Sequence, residues 1–288
     1  MTTASNYRVR TLRLPNGLQL EFAEQGTPGD TTVMLLHGST DSWRSFEALL
    51  PLLPAHWHVI APSQRGHGRS DKTASDYGTR AFAADAAALA CQLGLPPLVV
   101  VGHSMGAANG FRLAIDQPEL VRGLVAVSAF ASFADKPELV AFNSSEIEPL
   151  TDPVPYALAH EFQHSTVAGA VDRGWIHSMV AESLQLPARV WRGMFAGLLQ
   201  DDFSAELPRV QVPTLLAWGE RDTYVPRADQ QRLLAALPRS RLLSYPGVGH
   251  ALHWEQPEAF ARDLGAFVEA LAAPAPAWPA VMANVTNS

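Results

Sequence analysis

The sequence predicts an α/β protein with one mostly parallel, doubly wound β-sheet flanked by helices and interrupted by a helical insertion. Short apolar runs that suit buried strands alternate with longer helical patterns up to residue 130, and again from residue 208. Strands that are apolar on both faces belong in parallel sheets covered by helices. From 131 to 207 only helical patterns remain. We therefore expect one sheet domain, 1–130 and 208–272, with an insertion at 131–207.

The first half opens on a predicted hairpin, because 7–14 and 18–24 alternate like strands around the turn signal Pro-Asn-Gly. Four apolar runs then predict buried strands: VMLL at 33–36, VIAP at 59–62, LVVV at 98–101 and LVAV at 124–127. The segments between them that have helical character are 45–53, 79–93 and 105–116. Parallel strands are commonly joined by helices that cross over one face of the sheet, and these segments are expected to do so.

The insertion contains two clear helical patterns, GWIHSMVAESLQL and ARVWRGMFAGLL, which carry Trp, Met and Phe. After it, TLLAW and RLLSY predict two more strands. Residues 228–237 and 257–271 predict two more helices. The Pro- and Ala-rich residues 273–288 predict a mobile end.

Composition excludes several kinds of partner. The 288 residues carry a net charge of -7, and the 21 lysines and arginines form no basic stripe, so no nucleic-acid partner is expected. No apolar run approaches membrane-spanning length and the first residues lack an apolar signal region, which predicts a cytoplasmic protein without membrane contact. The single cysteine, Cys91, permits no intramolecular disulfide and is expected to be a small core residue of a helix.

One break in the pattern predicts the chemistry. In LVVVGHSMGA a buried strand ends in Gly102-His103-Ser104-Met105-Gly106, and a helical pattern follows. Such a sharp turn forces the central residue to positive φ and brings the residues two before and two after it together, so that both must be glycine. The hydroxyl of Ser104 is then presented at the carboxyl edge of the sheet, where open α/β sheets bind ligands.

This Gly-x-Ser-x-Gly turn between a strand and a helix resembles the nucleophile elbow of α/β-hydrolase-fold enzymes, and the resemblance covers residues 7–272. It implies a serine hydrolase, esterase- or lactonase-like, in which Ser104 is activated by a histidine and an acid farther along the chain. His250, in the loop PGVGHALHWEQP, resembles the family's base. Asp222, in GERDTYVP, resembles its acid.

Two rivals compete for these roles. His253 lies three residues beyond His250, where the following Trp254 suggests packing against the sheet edge. Glu220 precedes Asp222 and is expected to face solvent. Loop position favours His250 as the base, and the family resemblance favours Asp222 as the acid.

Backbone amides are expected to stabilise the negative oxygen of the intermediate. Met105 follows the nucleophile at a helix start, so its N–H is the first candidate. The loop HGST resembles the family's His-Gly-X loop, which implies that Ser39 supplies the second amide. The stretch APSQRGHGRSD resembles the loop after the next strand, but it has Ser63 or Gln64 where the family usually carries an aspartate.

The insertion resembles a cap that closes an apolar pocket and excludes water. The side chains expected at the pocket are His37, His103, Phe133, Trp175, Met179, Trp191 and Phe195. For each aromatic residue among them, packing of the cap against the core is the competing interpretation. Together they favour a small, hydrophobic, ester-like substrate, with water as co-substrate. No metal-ligand spacing and no phosphate loop is present in the sequence, so neither a metal nor a cofactor is expected.

Other functions stay open at this stage. Carbon–carbon hydrolases of meta-cleavage products share the fold and triad, but usually have Asn at the place of His103, Trp at the place of Ala251, and a cap arginine such as Arg189 or Arg192. Dehalogenases and epoxide hydrolases of this fold carry an aspartate nucleophile where Ser104 stands. A receptor without turnover is the alternative from another class. A perhydrolase side reaction, the acyl and alcohol groups, and a homodimeric state are also undecided.

Overall fold

The structure, a computed structural model, describes residues 7–29 and 31–272. Its eight strands are β1 (Tyr7–Arg13), β2 (Gln19–Gln25), β3 (Thr32–Leu36), β4 (His58–Pro62), β5 (Leu98–His103), β6 (Val121–Val127), β7 (Thr214–Gly219) and β8 (Ser240–Tyr245). Its α-helices are α1 (Thr79–Gln92), α2 (Met105–Asp116), α3 (Pro137–Phe142), α4 (Tyr156–Ser165), α5 (Arg173–Leu184), α6 (Ala188–Gln200), α7 (Arg227–Ala236), α8 (Leu252–Glu255) and α9 (Pro257–Ala272). The predicted mobile end, 273–288, lies outside the described residues.

All eight strands form one sheet in the order β1-β2-β4-β3-β5-β6-β7-β8. β2 is antiparallel to both of its neighbours, and the other adjacent pairs are parallel. The predicted α/β class and mostly parallel sheet are thereby confirmed. After β3 the chain adds β4 on one side and then β5 on the other. Ligands of open α/β sheets bind outside the carboxyl ends of strands at such a reversal.

Both faces of the central strands are buried, as the apolar runs require. In β3, Val33 and Leu35 pack into the core on one face, while Met34 and Leu36 pack into the core on the other. The strand β5 repeats this alternation. Two hydrophobic layers therefore clamp the sheet, and they hold the ends of β3 and β5 side by side.

Most predicted elements lie within two residues of their expected bounds, but 45–53 is different. The structure has two short 3₁₀ helices there, Trp43–Phe46 and Leu50–Leu52, rather than a continuous helix. In a continuous helix Pro51 would lack the N–H that bonds the carbonyl four residues earlier, so the two segments stay separate. The expectation that Cys91 is a core residue was also wrong, because α1 leaves Cys91 exposed.

Between β6 and β7 the chain forms the four helices α3 to α6, followed by a 3₁₀ helix at Ser204–Arg209. Two of them, α5 and α6, match the predicted helical patterns, whereas α3 and α4 were not predicted. The two ends of this segment meet, because Ser132 and Asp202 form a β-bridge and Phe203 N–H donates to the carbonyl of Ala131 at 3.3 Å. None of the helices in the described ranges combines the length and apolar character needed to cross a membrane.

Candidate active site

The turn from β5 into α2 is strained at Ser104, whose backbone has φ 53° and ψ -116°. A Cβ on Gly102 would lie 2.2 Å from the carbonyl oxygen of Gly106, and a Cβ on Gly106 would lie 2.1 Å from that of Leu36. No side chain fits at either place. The positive φ and the requirement for two glycines are as the sequence predicts. Strain of this kind is tolerated where surrounding structure imposes it, often at functional sites.

His250 and Asp222 are joined across the carboxyl edge of the sheet. Nδ1 of His250 lies 2.8 Å from Oδ2 of Asp222. Since a carboxylate accepts, Nδ1 carries the proton and Nε2 of the neutral ring is left as a base. The other carboxylate oxygen, Oδ1, accepts from the N–H groups of Tyr224 and Val225, each at 2.9 Å. Asp222 is buried, whereas its rival Glu220 is exposed, as expected.

Ser104 and His250 line the same pocket. Within the described ranges no direct hydrogen bond joins the Ser104 hydroxyl to the His250 ring. Such bonds are often long in unliganded enzymes and shorten only when substrate binds. Two hydrogen bonds fix the backbone at His250. Its carbonyl accepts from Ser128 Oγ at 2.7 Å and from His103 Nε2 at 3.2 Å.

The two amides expected to bind the oxyanion follow the ends of two neighbouring strands, β3 and β5. Met105 is the first residue of α2, and Ser39 lines the pocket on the loop that follows β3. In the part of the chain that the structure describes, neither N–H donates to a backbone carbonyl. Both amides are therefore unpaired by the backbone at the place where the sequence predicts an oxyanion site.

His37 supports this loop rather than the pocket. Its Nε2 accepts from the backbone N–H of Gln64 at 2.9 Å, and its Nδ1 donates to the carbonyl of Gly38 at 2.8 Å. Burial and the nearby His67 hold the pKa of His37 well below its ordinary value, so the ring is neutral. Gln64, at one of the two places where an aspartate was expected, donates to the His37 carbonyl at 2.9 Å. Gln64 thus anchors the loop that follows β3, on which Ser39 is the predicted oxyanion residue.

His253 is also neutral and buried. Its Nε2 lies 3.1 Å from Ser45 Oγ, and burial together with the nearby His250 lowers its pKa to about 3. The ring packs 4.6 Å from that of His103. His253 does not line the pocket. These contacts favour His250 over His253 as the base.

The pocket is narrow and mostly apolar. Its polar lining residues are Ser39, Asp41, His103, Ser104, Gln163, Thr166 and His250. Its apolar and aromatic lining residues are Phe133, Leu139, Phe162, Phe195, Leu198, Tyr224 and Trp254. The cavity has a small volume of about 30 Å³.

Three of the predicted pocket residues, His103, Phe133 and Phe195, line this cavity. Four others do not: His37, Trp175, Met179 and Trp191. Trp191 lies one layer behind, with its ring parallel to that of Phe195 at 6.3 Å. Trp175 packs edge-on against Trp254 at 6.3 Å, and Met179 is fully buried.

Asp41 and Gln163 are lining residues that were not predicted. Asp41 follows the loop HGST directly, and a carboxylate so close to a predicted oxyanion site was a usable signal. Gln163 lies on α4, where nothing in the sequence indicates that it reaches the pocket. Burial raises the pKa of Asp41 to about 7, against the hydrogen bonds from Gln163 and Ser45, which lower it.

Comparison with known proteins identifies the family. Residues 33–263, which include the elbow, Asp222 and His250, match the model of the alpha/beta hydrolase family. The chain belongs to this family. Membership makes the protein an alpha/beta hydrolase and confirms the resemblance seen in its sequence. Within the described ranges, no cluster of three or more His, Cys, Asp or Glu side chains could hold a metal ion.

The relatives of this alpha/beta hydrolase carry several activities in their names. A non-heme chloroperoxidase from Streptomyces lividans is 29% identical, over 90% of this chain and 99% of the relative. A 2-hydroxy-6-oxononadienedioate/2-hydroxy-6-oxononatrienedioate hydrolase from Pseudomonas putida is 28% identical, over 85% and 90%. Among solved structures, an esterase from Exiguobacterium antarcticum matches with a TM-score of 0.81 at 20% identity, over 91% and 100%. Structural likeness at that identity supports the fold alone.

Proposed function

We propose that the protein is a serine hydrolase that cleaves a carboxylic ester, lactone or thioester through an acyl-enzyme on Ser104. The observation that carries this proposal is the His250–Asp222 hydrogen bond of 2.8 Å beside a strained Ser104 in one apolar pocket. A serine hydroxyl is a weak nucleophile until a base takes its proton, and an oriented histidine is the usual base.

In the proposed reaction Ser104 Oγ attacks the carbonyl carbon while Nε2 of His250 takes its proton. Asp222 stabilises the imidazolium, and the N–H groups of Ser39 and Met105 bind the oxyanion. The imidazolium then protonates the leaving alcohol or thiol, and the acyl-enzyme remains. A water molecule, deprotonated by His250, attacks the acyl-enzyme and releases the acid, and Ser104 regains its proton.

The pocket favours a neutral, largely hydrophobic substrate. Its lining includes seven apolar or aromatic residues and neither lysine nor arginine, so nothing in it pairs with an anionic group. We propose that residues 131–207 act as a cap, because α4 and α6 supply Phe162, Gln163, Phe195 and Leu198 to the pocket. A substrate larger than this pocket would require these helices to move.

Ser104→Ala tests the proposal with p-nitrophenyl butyrate and a fluorophosphonate probe. We expect the variant to lose ester turnover, the burst of p-nitrophenol and covalent labelling. The matched control is Cys91→Ser, which removes the only cysteine, an exposed residue, and should retain all three. Unchanged turnover in Ser104→Ala would contradict the assignment. Labelling of the wild type without turnover of any ester, lactone or thioester would favour a receptor.

A carbon–carbon hydrolase is the second candidate, since one relative is named as a hydrolase of dienedioates. The cap arginines that such an enzyme would use are engaged elsewhere. Arg192 donates to the carbonyl of Leu150, and Arg189 donates to that of Lys72 at 3.0 Å. Neither lines the pocket. Turnover of a vinylogous diketone faster than that of p-nitrophenyl butyrate would reverse this preference.

A further inference from the structure

One wall of the pocket is polar. Asp41, His103 and Gln163 line it, and each is at least 97% buried. They come from three elements: the loop after β3, the last residue of β5, and α4. The remainder of the mechanism does not use them, because none is a triad residue or an oxyanion donor. Buried polar groups normally find hydrogen-bond partners, so an unpaired acceptor among them is unusual.

Two of these side chains have an acceptor atom that finds no hydrogen-bond partner among the described residues. Nε2 of His103 donates to the carbonyl of His250, which leaves Nδ1 without a proton, and Nδ1 has no hydrogen-bond partner. Burial and the neighbouring His253 keep the pKa of His103 well below its ordinary value, so the ring stays neutral. Nε2 of Gln163 donates to Asp41 Oδ1 at 3.0 Å and to Ser183 Oγ at 2.8 Å, whereas its Oε1 has no partner.

Asp41 adds acceptor capacity at the same wall. Oδ1 accepts from Gln163 and Oδ2 accepts from Ser45 Oγ at 3.0 Å. An ionised carboxylate oxygen can accept two hydrogen bonds, and a protonated carboxyl keeps acceptor capacity on its carbonyl oxygen, so Asp41 has capacity left in either state. A Cβ built on Gly38 would lie 2.7 Å from His103 Nδ1 and 3.5 Å from Asp41 Oδ2, so both acceptors lie beside Gly38 in the loop after β3.

The backbone holds this arrangement under strain. Thr40, between the oxyanion residue Ser39 and Asp41, has φ 64°, a conformation that β-branched residues rarely adopt. Its Oγ1 lies 2.9 Å from Ser183 Oγ and accepts from Gln163 Nε2 at 3.2 Å. The helices α4 and α5 therefore hold the loop where Asp41 faces the pocket.

We propose that Asp41, His103 and Gln163 form an acceptor subsite that binds a hydroxyl group on the acyl part of the substrate, close to the scissile carbonyl. This inference rests on the proposed function. It deepens that function because acceptors without partners select a hydrogen-bond donor, which a plain alkyl ester lacks. A hydroxyl suits the subsite better than an ammonium ion, because the acceptors of His103 and Gln163 are neutral and burial disfavours the charged form of Asp41.

Two members of the subsite are neighbours of the proposed catalytic groups in the chain. His103 immediately precedes Ser104, and Asp41 follows Ser39 by two residues. A hydroxyl on the acyl α- or β-carbon would bind there while the carbonyl oxygen faces the amides. Because Gln163 belongs to α4, docking of this helix completes the subsite. A hydroxyacyl substrate would thus be held by the loop, the elbow and the helix together.

Three p-nitrophenyl esters test the subsite: the butyrate, the 3-hydroxybutyrate and the 3-methoxybutyrate. The methoxy ester keeps the oxygen but has no donor. We expect kcat/KM for the hydroxy ester to exceed that for each of the others by about tenfold or more, as one hydrogen bond to a charged or buried group allows. The decisive quantity is kcat/KM for the hydroxy ester divided by kcat/KM for the methoxy ester. When both are measured on one protein preparation, differences in the active fraction cancel.

Asp41→Asn and Gln163→Leu should each bring this ratio towards one. The matched control is Gln185→Leu, the same change at the residue after α5, where the amide donates to Glu182 rather than to the pocket. It should keep the wild-type ratio. The wild-type ratio decides the matter even if a variant does not fold.

The outcomes separate the two proposals. A wild type that hydrolyses p-nitrophenyl butyrate with a hydroxy-to-methoxy ratio near one overturns the subsite and leaves the proposed function standing. A wild type that hydrolyses none of the three esters, and is not labelled by the fluorophosphonate, overturns the proposed function and the subsite with it.

Discussion

Nδ1 of His250 lies 2.8 Å from Oδ2 of Asp222, although 28 residues separate them in the chain. Both ends of this bond are held by backbone groups. Two N–H groups of its own turn orient the carboxylate, and two side-chain donors hold the carbonyl of His250. The pair is thus preorganised before any substrate arrives, which is the condition under which electrostatic stabilisation costs no reorganisation.

Asp222→Asn tests this pair. An amide at this position can donate towards Nδ1, which favours the tautomer with its proton on Nε2, and that tautomer cannot act as base. We expect kcat for an activated ester to fall by roughly 10³–10⁴-fold, with little change in KM. The amide oxygen can still accept from Tyr224 and Val225, so thermal unfolding should change little. Glu220→Gln, at the exposed neighbouring carboxylate, is the matched control, and an equal loss there would refute the assignment.

The glycines of the elbow should be intolerant of even a methyl group. Gly102→Ala and Gly106→Ala place a Cβ about 2 Å from backbone oxygens, which cannot move without displacing a strand or a helix. We expect each to lower the free energy of unfolding by roughly 3 kcal/mol or more. Gly265→Ala, in α9 with no atom within 4 Å of the new Cβ, should instead stabilise by up to about 1 kcal/mol. Urea titrations measure all three, and a tolerated Gly102→Ala contradicts the strained turn.

Buried neutral histidines should make the protein sensitive to acid. Burial lowers the pKa of His67 to about 4 and that of His253 to about 3. The unfolded chain takes up these protons near pH 6.5 and the native state does not, so stability is lost as the pH falls below 6.5. Urea midpoints between pH 7.5 and 4.5 check this slope. His67→Gln should make it shallower, and an identical slope in this variant would count against the neutral ring.

Asp41 should act in the opposite direction. Its pKa is raised to about 7 by burial, from an ordinary value near 3.8. The native state therefore keeps a proton that the unfolded chain releases, and stability is lost as the pH rises from about 4 to 7, by roughly 4 kcal/mol at the upper end. The difference in stability between Asp41→Asn and wild type should grow in favour of the variant across this window. A difference that is independent of pH would show that Asp41 is ionised throughout.

Local signals were sufficient for the fold and for the pairing of His250 with Asp222. The buried strands are short apolar runs that suit both faces of a sheet, and the elbow needs glycines at fixed spacing whatever packs around it. Cys91 was misplaced because alanine occupies half of the positions of α1, so hydropathy does not distinguish its buried face from its exposed one.

The pocket was less predictable because helix packing decides it. Gln163 contacts the loop after β3 because α4 packs against both α5 and that loop. Trp191 and Phe195 lie one turn apart on α6 and look equivalent in the sequence, yet only Phe195 reaches the cavity. Which side of a helix faces a pocket depends on its neighbours, and no residue pattern within the helix records them.

In the proposed reaction, the two hydrogen bonds to the His250 carbonyl hold the backbone in place while the imidazole moves. With the peptide held by Ser128 and His103, the imidazole can still tilt between serine and leaving group, a side-chain movement of picoseconds to nanoseconds. Displacing whole helices such as α4 and α6 takes microseconds to milliseconds. Substrate entry and product release past these helices would then limit the turnover rate. Raising the solvent viscosity would therefore slow turnover more than replacing the transferred proton by deuterium.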